Sequence, residues 1–112
     1  MKNTTPSIWT TERIAEVKAK HGVDSVFLLR RHGADALGFR KDDIFVVAEG
    51  SLAGKRDKRY GGVYFKWRDT LDKLAWTDSG DVILDDEKFT SASCAAVVVS
   101  GAPADSHWWK RL

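Results

Sequence analysis

The spacing of hydrophobic positions changes repeatedly along the 112 residues, and each change marks an element. Ile14 and Val17 lie three apart among polar residues, behind Thr10 and Thr11 and ahead of Gly22. This predicts a helix over residues 11–21, capped by a threonine hydroxyl, with Glu12 suiting the positive end of its dipole and glycine stopping it. Before it, Asn3, Thr4, Thr5, Pro6 and Ser7 predict a loose arm over residues 1–8. The apolar block Val26, Phe27, Leu28 and Leu29 predicts a strand within residues 25–31. Gly33 marks a turn into a second strand over residues 34–40, where Gly38 signals a bulge or a close neighbour. After the polar turn Lys41, Asp42 and Asp43, the run IFVVA at residues 44–48 is the clearest strand. Turns this short predict an antiparallel meander.

Residues 49–62 read as a polar, glycine-bearing loop. Tyr64, Trp67, Leu71, Leu74 and Ala75 then fall at helical spacing, with Arg68, Asp69, Asp72 and Lys73 on the opposite side, which predicts a second helix over residues 64–76. A turn at Asp78 to Asp81 leads to a short strand at residues 82–84. The segment FTSASCAAVVVSG opens with hydroxyl residues, of which Ser91 is the best cap, and ends on Gly101. Its three valines favour a strand and its cap and glycine favour a helix. The helix is preferred, packed through Ala95 and Ala96. The expected fold is therefore one α+β domain, 1–112, built as a small antiparallel meander of three to four strands with two or three helices packed on one side.

Composition bounds what such a domain does. Hydrophobic residues make up 43% and charged residues 30%, enough for a core without disulfide staples, and Cys94 has no cysteine partner. The N-terminal residues lack the apolar core of a secretory leader, and the longest apolar run, residues 95–99, is far too short to span a bilayer. A cytoplasmic protein with no membrane partner is expected. The net charge of +2 is uneven: residues 51–76 carry seven basic and three acidic residues, whereas residues 77–112 carry three and six. The basic middle is where an anionic partner would bind.

No catalytic constellation stands out. Cys94 with His21, His32 or His107 as base is one arrangement, but a small buried residue in an Ala/Val helix is the simpler expectation. Three scattered histidines and one cysteine lack zinc-ligand spacing. Asp85, Asp86 and Glu87 lack a calcium-loop register and read as a solvated turn. No cofactor motif is present; residues 50–55 lack the spacing of a phosphate loop. The basic loop is better. Lys55, Arg56, Lys58 and Arg59 lie within five residues, ahead of Tyr60, Tyr64 and Trp67, and clustered cations beside aromatic rings suit phosphates and bases. Trp108 and Trp109 precede Lys110 and Arg111; in an extended segment one ring faces the core and the other faces out, to a base or a protein, and the equal alternative is that both rings anchor the C-terminus in the core.

The segment FTSASCAAVVVSG with its WWK close resembles the signature Phe-Ser-Ser-Pro-Ser-Ala-Ala-Ala, apolar residues, Gly, then Trp-Lys, of the domain-of-unknown-function 4357 family. Gly33 to Phe39 (GADALGF) is similar to its Gly-Ala-Asp-Ala-Arg-Gly-Tyr stretch, and Phe45, Val46, Val47, Gly50 and Ser51 to its Phe-Val-Val…Gly-Ser strand end. The resemblance spans residues 26–110. Leu37, Ala92 and Cys94 depart from it, standing where the family has Arg, Pro and Ala. The family occurs C-terminal to some GIY-YIG-type nucleases and is similar to the restriction-associated RAMA domain, proposed to recognise modified DNA. The resemblance implies a non-catalytic module binding DNA or modified DNA, linked to restriction or phage–host conflict. With no nuclease domain in this sequence, any targeting role is expected to act in trans or not at all. The expected contacts are Lys55, Arg56, Lys58 and Arg59 to phosphates, Ser91 and Ser93 at a helix N-terminus, and Trp109 and Lys110 as a closing surface. The alternative is a protein-interaction module that docks on a larger enzyme or self-associates.

Overall fold

The computed structural model describes residues 6–54, 68–71, 73–77 and 80–112. Among these, helix α1 (Thr11–His21) leads into strands β1 (Phe27–Leu29), β2 (Ala36–Lys41), β3 (Ile44–Val47) and β4 (Leu52–Ala53). Strands β5 (Leu74–Thr77), β6 (Gly80–Ile83) and β7 (Glu87–Phe89), helix α2 (Ala92–Ser100), a 3₁₀ turn (Ser106–Trp108) and strand β8 (Lys110–Arg111) follow. The fold is α+β, with more strands than expected. A five-stranded antiparallel sheet runs β7-β3-β2-β1-β8, and a three-stranded one runs β4-β6-β5.

The expected meander is present as β1-β2-β3, in the register Phe27↔Gly38↔Val47. Side chains alternate across this sheet, and each face is covered by a different helix, not both by helices on one side. Val26, Leu37, Phe39, Val46 and Ala48 form one core with Trp9, and Ile14 and Val17 of α1 pack against it. Leu29, Ala36, Phe45, Val47 and Phe89 face the other way and bury Ala92, Ala95, Ala96, Val98 and Val99 of α2. Gly38 is required by the second core: a Cβ there would lie 2.4 Å from the Phe45 ring. The close neighbour signalled by the sequence is this ring.

Both helices carry the expected caps. The Thr10 hydroxyl accepts from the Arg13 N–H, and Gly22 closes α1 in the left-handed region at φ 65°. The end of α1 is tied to the sheet by charge. Lys20 lies 2.6 Å from Glu49 and 3.6 Å from Asp86, and His21 lies 3.2 Å from Asp86. The hydrogen bond to Glu49, with the Asp86 carboxylate beside it, raises the Lys20 pKa above its ordinary value. The arm before α1 is anchored from Ser7 onward, since the Ser7 hydroxyl and the Ile8 N–H both donate to the Asp35 carboxylate, and the Trp9 indole N–H donates to the Asp35 carbonyl. In α2 the Ser91 hydroxyl accepts from the Cys94 N–H, and Gly101 terminates the helix at φ 69°. Three valines are held in a helix because strands of both sheets, β3, β7 and β4, pack against it.

The expected second helix is corrected at its C-terminal end. Leu74–Thr77 is a strand paired with Gly80–Ile83, and the Thr77 hydroxyl bonds both the N–H and the carbonyl of Gly80. A near-continuous apolar run suits helix or strand, and pairing with β6 decides for the strand. Arg68, expected on the outward side, is instead fully buried. Its guanidinium donates to the carbonyls of Val98, Val99 and Gly54 and to the Asp81 carboxylate. The acidic run is corrected too. Asp86 accepts from the Glu49 N–H, and Glu87 is a buried residue of β7.

Replacing Arg68 with alanine removes the guanidinium from beside the buried Asp81 carboxylate and takes its donors from the Val98 and Gly54 carbonyls, while Val99 keeps the Gly54 N–H. The expected loss is about 3–5 kcal/mol, read as a shift of the urea midpoint. Arg68→Lys should lose most of that, because an ammonium cannot spread donors over both α2 and β6. A loss below about 1 kcal/mol in Arg68→Ala would show that the buried guanidinium is dispensable.

Candidate nucleic-acid interface

The β1–β2 connection is tight, and its geometry sets cations beside an aromatic ring. His32 and Gly33 occupy the left-handed region, at φ 52° and 82°, and the Ala34 N–H donates to the Arg31 carbonyl. The turn is backed by Gly54, where a Cβ would stand 2.5 Å from the His32 carbonyl oxygen and 2.7 Å from that of Ser100. Only glycine fits between the turn and the end of α2.

The 3₁₀ turn delivers the tryptophan pair to this place. The Asp105 carboxylate accepts from the His107 N–H and starts the turn. Trp109 points into the core at 6% exposure, with its indole N–H donating to the Ala92 carbonyl and its ring 4.8 Å from Phe45. This corrects the expectation of Trp109 as a recognition surface: a ring that fills the space between α2 and β3 has no face left for a ligand. Trp108 is the half-buried member. Its ring stacks on His32 at 5.3 Å and 14°, and the Arg31 guanidinium lies 4.5 Å over it. The ring's quadrupole attracts the guanidinium, so the exposed Arg31 is partly ordered over the half-buried ring.

Beside this stack, Leu28, Arg30, Arg31, Trp108, Lys110 and Leu112 line a shallow cleft of about 180 Å³. Lys110 reaches it because β8 pairs with β1 in the register Leu28↔Lys110, which puts both side chains on one face. Arg30 lies 3.6 Å from Asp35, the same carboxylate that anchors the N-terminal arm. The result is an apolar floor of Leu28, Leu112 and the Trp108 edge, rimmed by Arg30, Arg31 and Lys110.

The other expected site residues fall elsewhere. Lys55, Arg56, Lys58 and Arg59 lie outside the described residues, although the basic run begins one residue after Gly54. Ser91 is occupied as the α2 cap and Ser93 is exposed on the first turn; neither lines the cleft. Of the expected contacts among the described residues, only Lys110 belongs to the Trp108 cluster. Arg30 and Arg31 are not singled out by the sequence and His32 only as a candidate base for Cys94, although Arg30-Arg31-His32 is a basic triplet between a strand and a glycine turn. Cys94, expected as a buried occupant of an alanine position, is exposed. It lies on the side of α2 opposite Ala92, Ala95 and Ala96, and packing chose the smaller alanines. Among the described residues, no group of three or more His, Cys, Asp or Glu side chains is placed to hold a metal ion, and no helix is long and apolar enough to cross a membrane.

No family model, curated protein or solved structure matches the chain. The functional reading therefore rests on the residues and on this cluster.

The exposed Cys94 gives a direct check on the packing of α2. A thiol reagent such as dithionitrobenzoate should modify one thiol per folded chain without denaturant, at a rate close to that in urea. Protection of one hundredfold or more in the folded protein would place Cys94 inside the helix–sheet interface instead.

Proposed function

We propose that this protein is a non-catalytic nucleic-acid-binding module, with DNA the favoured ligand. The carrying observation is the Arg31–Trp108–His32 stack with Arg30 and Lys110 around it. A partly ordered guanidinium beside an apolar floor contacts a phosphate while leaving room for a sugar or base edge. Lys55, Arg56, Lys58 and Arg59 follow Gly54, which packs against the carbonyl of His32 in this same turn, and they add sequence-level support for a polyanionic partner. The resemblance of residues 26–110 to the domain-of-unknown-function 4357 family and to the RAMA domain supports a setting in restriction or phage–host conflict. In that setting, the module would mark or locate DNA.

The role of each residue follows from its chemistry. Arg31 and Lys110 contact phosphates directly. Trp108 orients Arg31 and supplies an apolar edge. Arg30 is shared with Asp35, so its contribution is weaker. With a chain net charge of only +2, affinity comes from this local cluster and falls steeply with salt.

Fluorescence anisotropy with labelled DNA at 50 and 200 mM salt tests the reading. Wild-type affinity should fall at least tenfold between the two concentrations. Arg31→Ala and Lys110→Ala should each weaken binding severalfold and each lower the salt slope by about one. Absence of binding at 50 mM, or binding that ignores both substitutions, would remove the nucleic-acid reading from this surface.

A further inference from the structure

The edge strand β8 carries cations to both faces of the five-stranded sheet. Lys110 shares a face with Leu28, and Arg111, paired with Phe27, shares the opposite one. On that opposite face α2 does not cover the sheet to its edge. Phe27 is only partly buried, tilted against Phe45 with ring centroids 6.3 Å apart. It forms the floor of a shallow cavity of about 320 Å³, lined also by Val23, Asp24, Ser25, Arg40 and Arg111.

The arrangement is set by register. Arg111 pairs with Phe27, Phe27 with Gly38, and Arg40 stands two residues beyond Gly38 on β2. All four point to one face. At ordinary strand spacings the Cα atoms of Arg40 and Arg111 are about 12 Å apart, with Phe27 between the two strands that carry them. Gly38 has no side chain to cover the Phe27 ring from its partner position. Each guanidinium is partly fixed: Arg111 donates to the Ser25 hydroxyl at 3.0 Å, and Arg40 lies 6.0 Å over the Phe45 ring. Among the described residues that line it, Asp24 is the single carboxylate beside two guanidiniums, which gives this lining a positive balance.

Resting on the nucleic-acid reading, we infer that the ligand is single-stranded. The strand passes around the β8 edge, from Arg31 and Lys110 on one face to Arg111 and Arg40 on the other, and it sets one unpaired base on Phe27. A partly exposed aromatic floor between two guanidiniums fits the face of a base with phosphates on either side. A duplex cannot use it, because its base faces are stacked on one another and only their edges reach the grooves. Charged side chains on a short edge strand also discourage pairing with another sheet, and that role alone requires neither the exposed ring nor Arg40.

Parallel titrations of labelled dT12 and a twelve-base-pair duplex at 50 mM salt test this. They use the wild type, Phe27→Leu, Phe27→Tyr, Arg40→Ala with Arg111→Ala, and Arg31→Ala with Lys110→Ala. Urea melts of each variant exclude unfolding as a cause. The wild type should bind dT12 at least tenfold tighter than the duplex. Phe27→Leu should cost dT12 about tenfold and leave duplex affinity unchanged, whereas Phe27→Tyr should retain it. The Arg40 and Arg111 pair should lower the dT12 salt slope by about 1.4, at about 0.7 per phosphate. Equal affinity for dT12 and duplex, or a neutral Phe27→Leu, overturns the single-strand inference. If binding to either form is still lost with the Arg31 and Lys110 pair, the interface reading stands without it. No binding to either form by the wild type overturns both.

Discussion

One buried guanidinium ties the second helix to the three-stranded sheet. Arg68 has no exposed surface, and its donors reach the last turn of α2, the end of β4 and the Asp81 carboxylate on β6. Helix C-termini leave carbonyls unpaired, and in α2 they are nearly all accounted for. Gly101 serves Val97, Arg68 serves Val98, and Val99 accepts from both Arg68 and Gly54. A cation of this kind costs much to desolvate, and its geometry must be met on every side. It therefore fixes where α2 ends relative to the three-stranded sheet, and with it the slot that Gly54 fills behind the His32 turn.

The β3–β4 connection makes the second tie. The Gly50 N–H donates to the Ile83 carbonyl, the Ile83 N–H donates to Ser51, and the Ser51 hydroxyl accepts from the Leu37 N–H. One buried serine thus joins β2 to β6 across the two sheets. The fold is in effect two sheets sharing a polar seam, with α2 filling the apolar angle between them. The cation–aromatic cluster lies at the far edge of the larger sheet, where neither α1 nor α2 covers the surface.

Local signals in the sequence are legible where they are self-sufficient. Threonine and serine caps, glycine stops at positions 22 and 101, and the alternating strands at positions 26–48 depend on neighbours in the chain, and the structure has them as expected. What was not legible depended on distant partners. Leu52–Ala53 and Lys110–Arg111 are too short to show a pattern, and they are strands only because β6 and β1 supply the pairing. Leu74–Thr77 followed β6 rather than its own spacing. Arg68 looked like a surface residue because nothing near it in sequence announces Asp81 or the end of α2. At the interface, the sequence leaves open whether one or both rings of the tryptophan pair are buried and favours Trp109 as the recognition ring, whereas the 3₁₀ turn and the Ala92 carbonyl turn Trp109 inward. The Arg30-Arg31-His32 triplet gains meaning only once the C-terminal segment is folded against it.

The pairing of β8 with β1 joins residues more than eighty positions apart and spans only two residue pairs. Two pairs at a sheet edge contribute few hydrogen bonds, so this pairing opens at lower cost than the cores. When it opens, Lys110 and Arg111 leave both faces of the sheet at once, and the surface on which the cations converge ceases to exist. A polyanion seated across that edge would act as a clasp, slowing hydrogen exchange at Leu28 and Leu112 far more than in the cores. Occupancy of the surface and closure of the sheet are in this way one equilibrium, viewed from two ends.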